Sequence, residues 1–184
     1  TSTFEWFPGV QIHHSRDLIH WTLVAQPLNR LSQLDMRGNP DSCGVWAPCL
    51  SYDNGKFYLI YSNARRYWSH CKDVHNYIVT SDDICGQWSE PSHLNSSGFD
   101  PSLFHDIDGR KWLVNLRWDH RQGRPGTELE PARYFGGIVL QEFDEKSGQL
   151  VGPVSHIFSG SALGKSEGPH LYQRNGYYYL IVAE

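Results

Sequence analysis

The sequence predicts an all-β chain of repeated hairpins arranged as propeller blades, and three observations predict it. Three stretches follow one template, Trp46-Ala-Pro-Cys-Leu-Ser-Tyr-Asp-Asn54-Gly55, Asp100-Pro-Ser-Leu-Phe-His-Asp-Ile-Asp108-Gly109 and Glu167-Gly-Pro-His-Leu-Tyr-Gln-Arg-Asn175-Gly176, each opening eight residues before its Asn-Gly or Asp-Gly pair. A second hairpin pattern alternates with this one along the chain. Aromatic residues make up 14% of the sequence, Gly and Pro punctuate it, and no window keeps a helical period long enough to override strands.

Taken in order, Ile12-His-His-Ser15-Arg-Asp17-Leu-Ile-His-Trp21 reads as a strand, a turn and the start of a return strand. The Trp46 unit follows, and Asn54-Gly55 supplies the positive φ angles of a type I′ turn between apolar flanks. Ile78-Val-Thr-Ser81-Asp-Asp83-Ile-Cys-Gly-Gln-Trp88 repeats the opening pattern, the Asp100 unit repeats the second, and Val139-Leu-Gln-Glu-Phe143-Asp-Glu-Lys-Ser-Gly148-Gln-Leu is a looser third copy of the first. The Glu167 unit closes the series. One period is therefore two hairpins, or four strands, with Trp46 and Asp100 54 residues apart and Asp100 and Glu167 67 apart. Counted this way, residues 1–184 form one partial propeller domain of about three blades: a rear half, two full blades and a front half. Equivalent positions of stacked units lie at equivalent depth, so Trp46, Asp100 and Glu167 are expected to converge. One period back from Trp46 falls upstream of Thr1, so one such residue is expected outside the chain.

Composition narrows the function. A net charge of −4 gives no basic footprint, which argues against nucleic acid as a partner, and no apolar run approaches a membrane span. Cys43, Cys49, Cys71 and Cys85 lack zinc-site spacing and read as free thiols, pointing toward a cytoplasmic rather than a secreted setting. Asn95-Ser-Ser97 is a formal glycosylation acceptor that matters only for a secreted chain. The ten histidines, His13-His14 and His170 among them, show no convincing metal-ligand pairing, and Asp106-Ile-Asp108-Gly109 lacks the full ligand run of a calcium loop. No metal and no cofactor are expected. Ser159-Gly-Ser161 lacks the context of a nucleophile elbow. Trp21, Trp88 and Trp112 are assigned to the core, and Asn39-Pro40-Asp41 to a loop. By itself, Asp100 before Pro101 is more often a turn residue, and Glu167 before Gly-Pro a solvated loop acid.

Four separated motifs change that balance. Thr1-Ser-Thr-Phe-Glu-Trp-Phe-Pro-Gly9, Gly44-Val-Trp-Ala-Pro48, Gly98-Phe-Asp-Pro-Ser-Leu-Phe104 and Ser166-Glu-Gly-Pro-His-Leu-Tyr172 closely resemble glycoside hydrolase family 43, in its β-xylosidase group, and the likeness runs along essentially the whole chain. The resemblance implies a five-bladed propeller with the active site in its axial funnel, hydrolysing a glycosidic bond with inversion at the anomeric carbon. It makes Glu167 the general acid and Asp100 the group that orients that acid and modulates its pKa. It puts the general base, an Asp of an Asn-Pro-Asp-type motif, upstream of Thr1, where the repeat leaves a position unfilled; the residues alone would have made Asp100 the base. It also makes Phe4, Trp46, Phe99 and Trp118, the last within Asn115-Leu-Arg-Trp-Asp-His-Arg121, the lining of the subsite for the terminal sugar.

Such chemistry needs a carboxylic acid to protonate the leaving oxygen and a carboxylate on the opposite face to activate water. A nearby carboxylate and burial against aromatic rings favour the protonated form of Glu167. The expected substrates are β-1,4-xylo-oligosaccharides cut at their ends, with arabinose-substituted substrates and α-L-arabinofuranosides second. The rival class is a carbohydrate-binding propeller without catalysis. Homo-oligomer formation is left open, and residues 1–184 alone are expected to be inactive because the base lies outside them.

Overall fold

The computed structural model describes residues 1–68, 71–122 and 134–184. Its strands form four antiparallel sheets in chain order. The first pairs β1 (Ile12–His14) with β2 (Thr22–Ala25); the second is a meander of β3 (Gly44–Asp53), β4 (Lys56–Arg66), β5 (Asp73–Ser81) and β6 (Ser92–Asn95). The third repeats that meander with β7 (Gly98–His105), β8 (Lys111–Trp118), β9 (Phe135–Asp144) and β10 (Gln149–Phe158), and the fourth pairs β11 (Glu167–Arg174) with β12 (Tyr177–Ala183). The described residues hold no α-helix, only a short 3-10 turn at His120–Gln122. The all-β expectation holds. Strand β3 packs against β7, and β7 against β11.

Two of the three template turns follow their sequence. Asn54 and Gly55 have φ of 47° and 83°, and Asn175 and Gly176 have 54° and 80°, the left-handed pair a type I′ turn requires. The Asp108-Gly109 turn does not. Pairing of His105 with Lys111 leaves a five-residue loop in which Gly109, at φ 86°, donates its N–H to the Asp106 carbonyl at 3.0 Å. The Asp108 carboxylate instead accepts from the Arg110 backbone N–H at 3.0 Å.

A different frame relates the three units. In each, the ladder breaks at a bulge where a residue with positive φ precedes a proline: Ala47 (39°) before Pro48, Asp100 (54°) before Pro101 and Gly168 (56°) before Pro169. Proline has no N–H to give to a ladder, so the strand kinks there and one residue is left unpaired. The equivalent residues are thus Trp46, Phe99 and Glu167, and Asp100 matches Ala47 and Gly168. This corrects the equivalence of Trp46, Asp100 and Glu167: the longer middle loop offsets the count of eight by one residue.

Apolar side chains fill the spaces between successive sheets. Val10, Leu28, Val45, Leu59, Tyr61, Val79 and Trp88 close the gap between the first and second sheets, while Tyr58, Ile60, Ile78, Leu103, Leu113 and Phe143 join the second and third. Ala64, Val74, Phe99, Val114, Leu116 and Ile138 form a further cluster, packed by Leu171 and Leu180 of the fourth sheet. Each large apolar side chain buried this way contributes roughly 1.5–3 kcal/mol. The core assignment holds for Trp88 but not for Trp21, which is 55% exposed with its indole N–H donating to the Leu18 carbonyl. A tryptophan beside a tight turn caps the loop rather than filling the core. Trp112 is half-buried, with the Arg110 guanidinium 4.9 Å from its ring centroid.

Charges fasten the turn ends of the second and third sheets. Lys111, 6% exposed, reaches Asp53 and Glu145 at 3.1 Å each, Lys56 reaches Glu145 at 3.0 Å, and the Tyr58 hydroxyl donates to Glu145 at 2.7 Å. Burial alone would raise the Glu145 pKa, but the hydrogen bonds from Tyr58, Lys56 and Lys111 outweigh it and hold the pKa at about 2. Asn95 is engaged as well: its Oδ1 accepts from Asn76 Nδ2 at 2.8 Å and its Nδ2 donates to Asn115 Oδ1 at 3.3 Å. A glycan attached at Nδ2 would compete with the bond that this nitrogen gives to Asn115. Among the described residues no disulfide joins the four cysteines, of which Cys43 is buried, Cys49 half-buried, and Cys71 and Cys85 exposed.

Candidate active site

Strand β7 begins at a position only glycine can fill, since a Cβ on Gly98 would stand 1.9 Å from the Leu116 carbonyl oxygen. That close approach sets the next two residues, Phe99 and Asp100, at the end of the strand that faces β11. The positive φ of Asp100 turns its side chain away from the ladder, and its Oδ2 accepts the Gly168 N–H at 3.0 Å. Two residues on, the Ser102 hydroxyl donates to the Pro169 carbonyl at 2.6 Å. Glu167 opens β11 immediately before Gly168, so the two acidic residues singled out by sequence are neighbours across two sheets.

Burial raises the Asp100 pKa, the charge of Glu167 adds to the rise, and the Gly168 N–H and the Lys165 ammonium oppose it. Lys165 Nζ stands 2.6 Å from Glu167 Oε1. The loop carrying Lys165 is itself fastened, because the Ser161 and Ser166 hydroxyls donate to the two oxygens of Glu184 at 2.6 and 2.5 Å.

The aromatic residues continue this surface. The Trp46 and Phe99 rings meet edge to face at 5.5 Å between centroids, Phe99 and Trp118 lie 5.8 Å apart, and Trp118 stacks on Tyr134 at 5.2 Å. The Trp46 indole N–H donates to the Ser42 carbonyl at 2.8 Å, fixing the ring. Phe4 joins through its backbone: its carbonyl accepts the Val45 N–H at 3.1 Å, and a Cβ on Gly44 would stand 2.2 Å from that same oxygen. Its ring is 48% exposed. Asp100, Glu167, Phe4, Trp46, Phe99 and Trp118 thus come from five separate parts of the chain into one region.

Lysines are what sequence reasoning missed. Lys72 Nζ lies 4.7 Å from the Trp118 ring centroid, 5.7 Å from Trp46 and 5.9 Å from Phe99, and it donates to the Tyr67 carbonyl at 2.9 Å. Burial lowers its pKa, helped by Lys165 and opposed by Glu167 and Cys43. Lys72 precedes β5 and Lys165 precedes β11, both outside the repeated hairpins, so no periodicity marks them. Tyr67 and Tyr134 also join the ring cluster from outside the motifs. The resulting surface offers flat rings, two ammonium groups and two carboxyl groups with opposed environments. Among the described residues no group of three or more His, Cys, Asp or Glu could hold a metal ion.

The family model described as "Glycosyl hydrolases family 43" matches residues 1–184. "Xylosidase/arabinosidase 43B" of Humicola insolens is 65% identical over 184 residues, and "Beta-xylosidase" of Bacillus subtilis (strain 168) is 58% identical over 183, each match taking in 100% of this chain and 33% of the relative. The crystal structure of xylan beta-1,4-xylosidase from Bacillus Halodurans C-125 superposes with a TM-score of 0.92 at 60% identity, over 100% of this chain and 34% of that one. The chain spans about a third of the length of the curated relatives it matches.

Proposed function

Because the chain belongs to glycosyl hydrolase family 43, we propose that the whole protein releases terminal xylose from β-1,4-xylo-oligosaccharides by an inverting mechanism. The observation that carries this reading is the Asp100 carboxylate bonded to the Gly168 N–H directly beside Glu167. Glu167 gives its proton to the glycosidic oxygen as the bond to the anomeric carbon breaks. Asp100 holds the peptide that follows Glu167 and so aims the acid. A carboxylate from a part of the protein outside residues 1–184 takes a proton from the attacking water on the opposite face. Trp46, Phe99 and Trp118 offer rings to the apolar face of the terminal sugar, with Phe4 at the rim.

Sheets of two, four, four and two strands support a rear half, two full blades and a front half of a five-bladed ring. Residues 1–184 by themselves therefore leave xylobiose uncut, and turnover at an ordinary glycosidase rate by that segment would refute an external base. A second reading, α-L-arabinofuranosidase activity in the same pocket, is supported by the double name of the Humicola insolens relative.

Proton NMR of aryl β-xyloside hydrolysis by the full-length protein, in which the only xylose released is the one whose anomeric bond is cut, tests the principal reading. Xylose of α configuration appears first; initial β-xylose would overturn inversion. Glu167→Gln lowers kcat on xylobiose by about 10²–10⁴-fold, the usual range for general acid–base catalysis, and unchanged turnover would remove Glu167 from its role. Aryl α-L-arabinofuranoside and β-xyloside compared at equal concentration rank the two sugars. Sugar binding without turnover of either would indicate the non-catalytic class.

A further inference from the structure

Ser102 is 2% exposed, and its hydroxyl reaches out of its own sheet. Strands β7 and β11 belong to different sheets, so no ladder hydrogen bonds fix one against the other. Two polar bonds span the gap: Asp100 Oδ2 accepts the Gly168 N–H at 3.0 Å, and Ser102 Oγ donates to the Pro169 carbonyl at 2.6 Å. They grip the chain just after Glu167, on either side of the Pro169 ring, where the bulge leaves β11 without regular pairing. The first bond involves a carboxylate with an assigned part in the reaction. The second joins a neutral hydroxyl to a backbone carbonyl and touches neither the substrate nor a reacting atom.

We propose that Ser102 is a positioning residue for the proton donor, fixing Glu167 through the Pro169 carbonyl across the seam between two sheets. The inference rests on the reading of Glu167 as the general acid. A buried carbonyl left without a donor shifts to find another partner, and the bulge has few ladder bonds to resist that shift. Displacement of a reacting group by as little as an ångström is enough to cost orders of magnitude in rate. The loss is selective, because a leaving group that departs readily as an anion needs little help from an acid while a sugar leaving group needs a great deal.

The test measures kcat and KM of the full-length protein and of its Ser102→Ala variant on xylobiose and on 2,4-dinitrophenyl β-xyloside. Ser102→Ala lowers kcat on xylobiose about tenfold, with KM on both substrates and kcat on the dinitrophenyl substrate within about twofold of the parent. Ser102→Thr, which keeps the hydroxyl, restores most of the xylobiose rate, and Ser102→Cys, nearer in size to serine with a weaker donor, falls between; the cysteine variant takes the place of any other that does not fold. Tyr58→Phe is the control for simple loss of a buried hydroxyl, since Tyr58 bonds Glu145 at the turn ends of the sheets, and it leaves the ratio of the two rates unchanged. Equal losses on both substrates, or no loss on either, overturn the positioning role while leaving the proposed function intact. A parent protein that turns over neither substrate sinks both.

Discussion

At the residue scale, Asp100 carries opposed demands. Its buried carboxylate costs folding energy, yet its charge is what grips the Gly168 N–H. The folded pKa lies above the unfolded value, so the native state holds the extra proton. Asp100 therefore destabilises the fold above its raised pKa, and the penalty fades as pH falls toward the ordinary carboxylate value. Asp100→Asn, which keeps an acceptor and removes the charge, is expected to raise Tm at pH 7 by a few degrees while lowering kcat on xylobiose by about 10²-fold; calorimetry and steady-state rates on the full-length protein check the two halves separately. A fall in Tm would mean that the bond to Gly168 outweighs the desolvation. Glu167 and Asp100 were legible because each stands at a strand end in a recognisable motif. Lys72 and Lys165 were not, since a cation's value here comes from rings and carboxyls that only the tertiary structure brings to it.

At the element scale, the hairpins were readable wherever turn chemistry is local. Asn54-Gly55 and Asn175-Gly176 each define their own two-residue turn, so nothing distant had to be known. The Asp108-Gly109 loop escaped because strand register, set by pairing of His105 with Lys111, decides how many residues the turn contains. The bulges escaped for a related reason: a proline at a strand start says that the ladder breaks, not which way the preceding side chain then points. Gly98 shows the energetic side of that frame. Gly98→Ala would drive a methyl group into the Leu116 carbonyl at 1.9 Å, and the pair β7–β8 has to part at the end that carries Asp100. A loss of roughly 1–3 kcal/mol is expected, with activity falling at temperatures where the variant is still folded. Thermal melting and rates measured on one preparation check this, and a melt equal to the parent's would show that the strand end shifts freely.

At the scale of the whole molecule, the four sheets meet through apolar clusters, and the second and third also meet at their turn ends through Lys111, Asp53, Lys56 and Glu145. Glu145 has its pKa held at about 2, below the unfolded value near 4.3. Its contribution to stability is present above the unfolded pKa and is lost as pH falls from there through about 2. Glu145→Gln is expected to lower Tm at pH 7 and to flatten the decline in Tm between about pH 4.5 and pH 2.5; melting curves of parent and variant across that range are the measurement, and parallel curves would exclude the clamp as an acid-sensitive joint. The alternation of hairpins was visible in the sequence, whereas this clamp was not, because its members are contributed by turns far apart along the chain.

The kinked strand starts bear on how the protein could be made hardier. Of the three residues seated in the left-handed region ahead of a proline, glycine and aspartate are types that visit that region readily, but alanine is not. Ala47 is therefore the least comfortable tenant of the trio. Asparagine there would relax the backbone, a gain in heat tolerance obtained at an exposed position beside Trp46 in the chain.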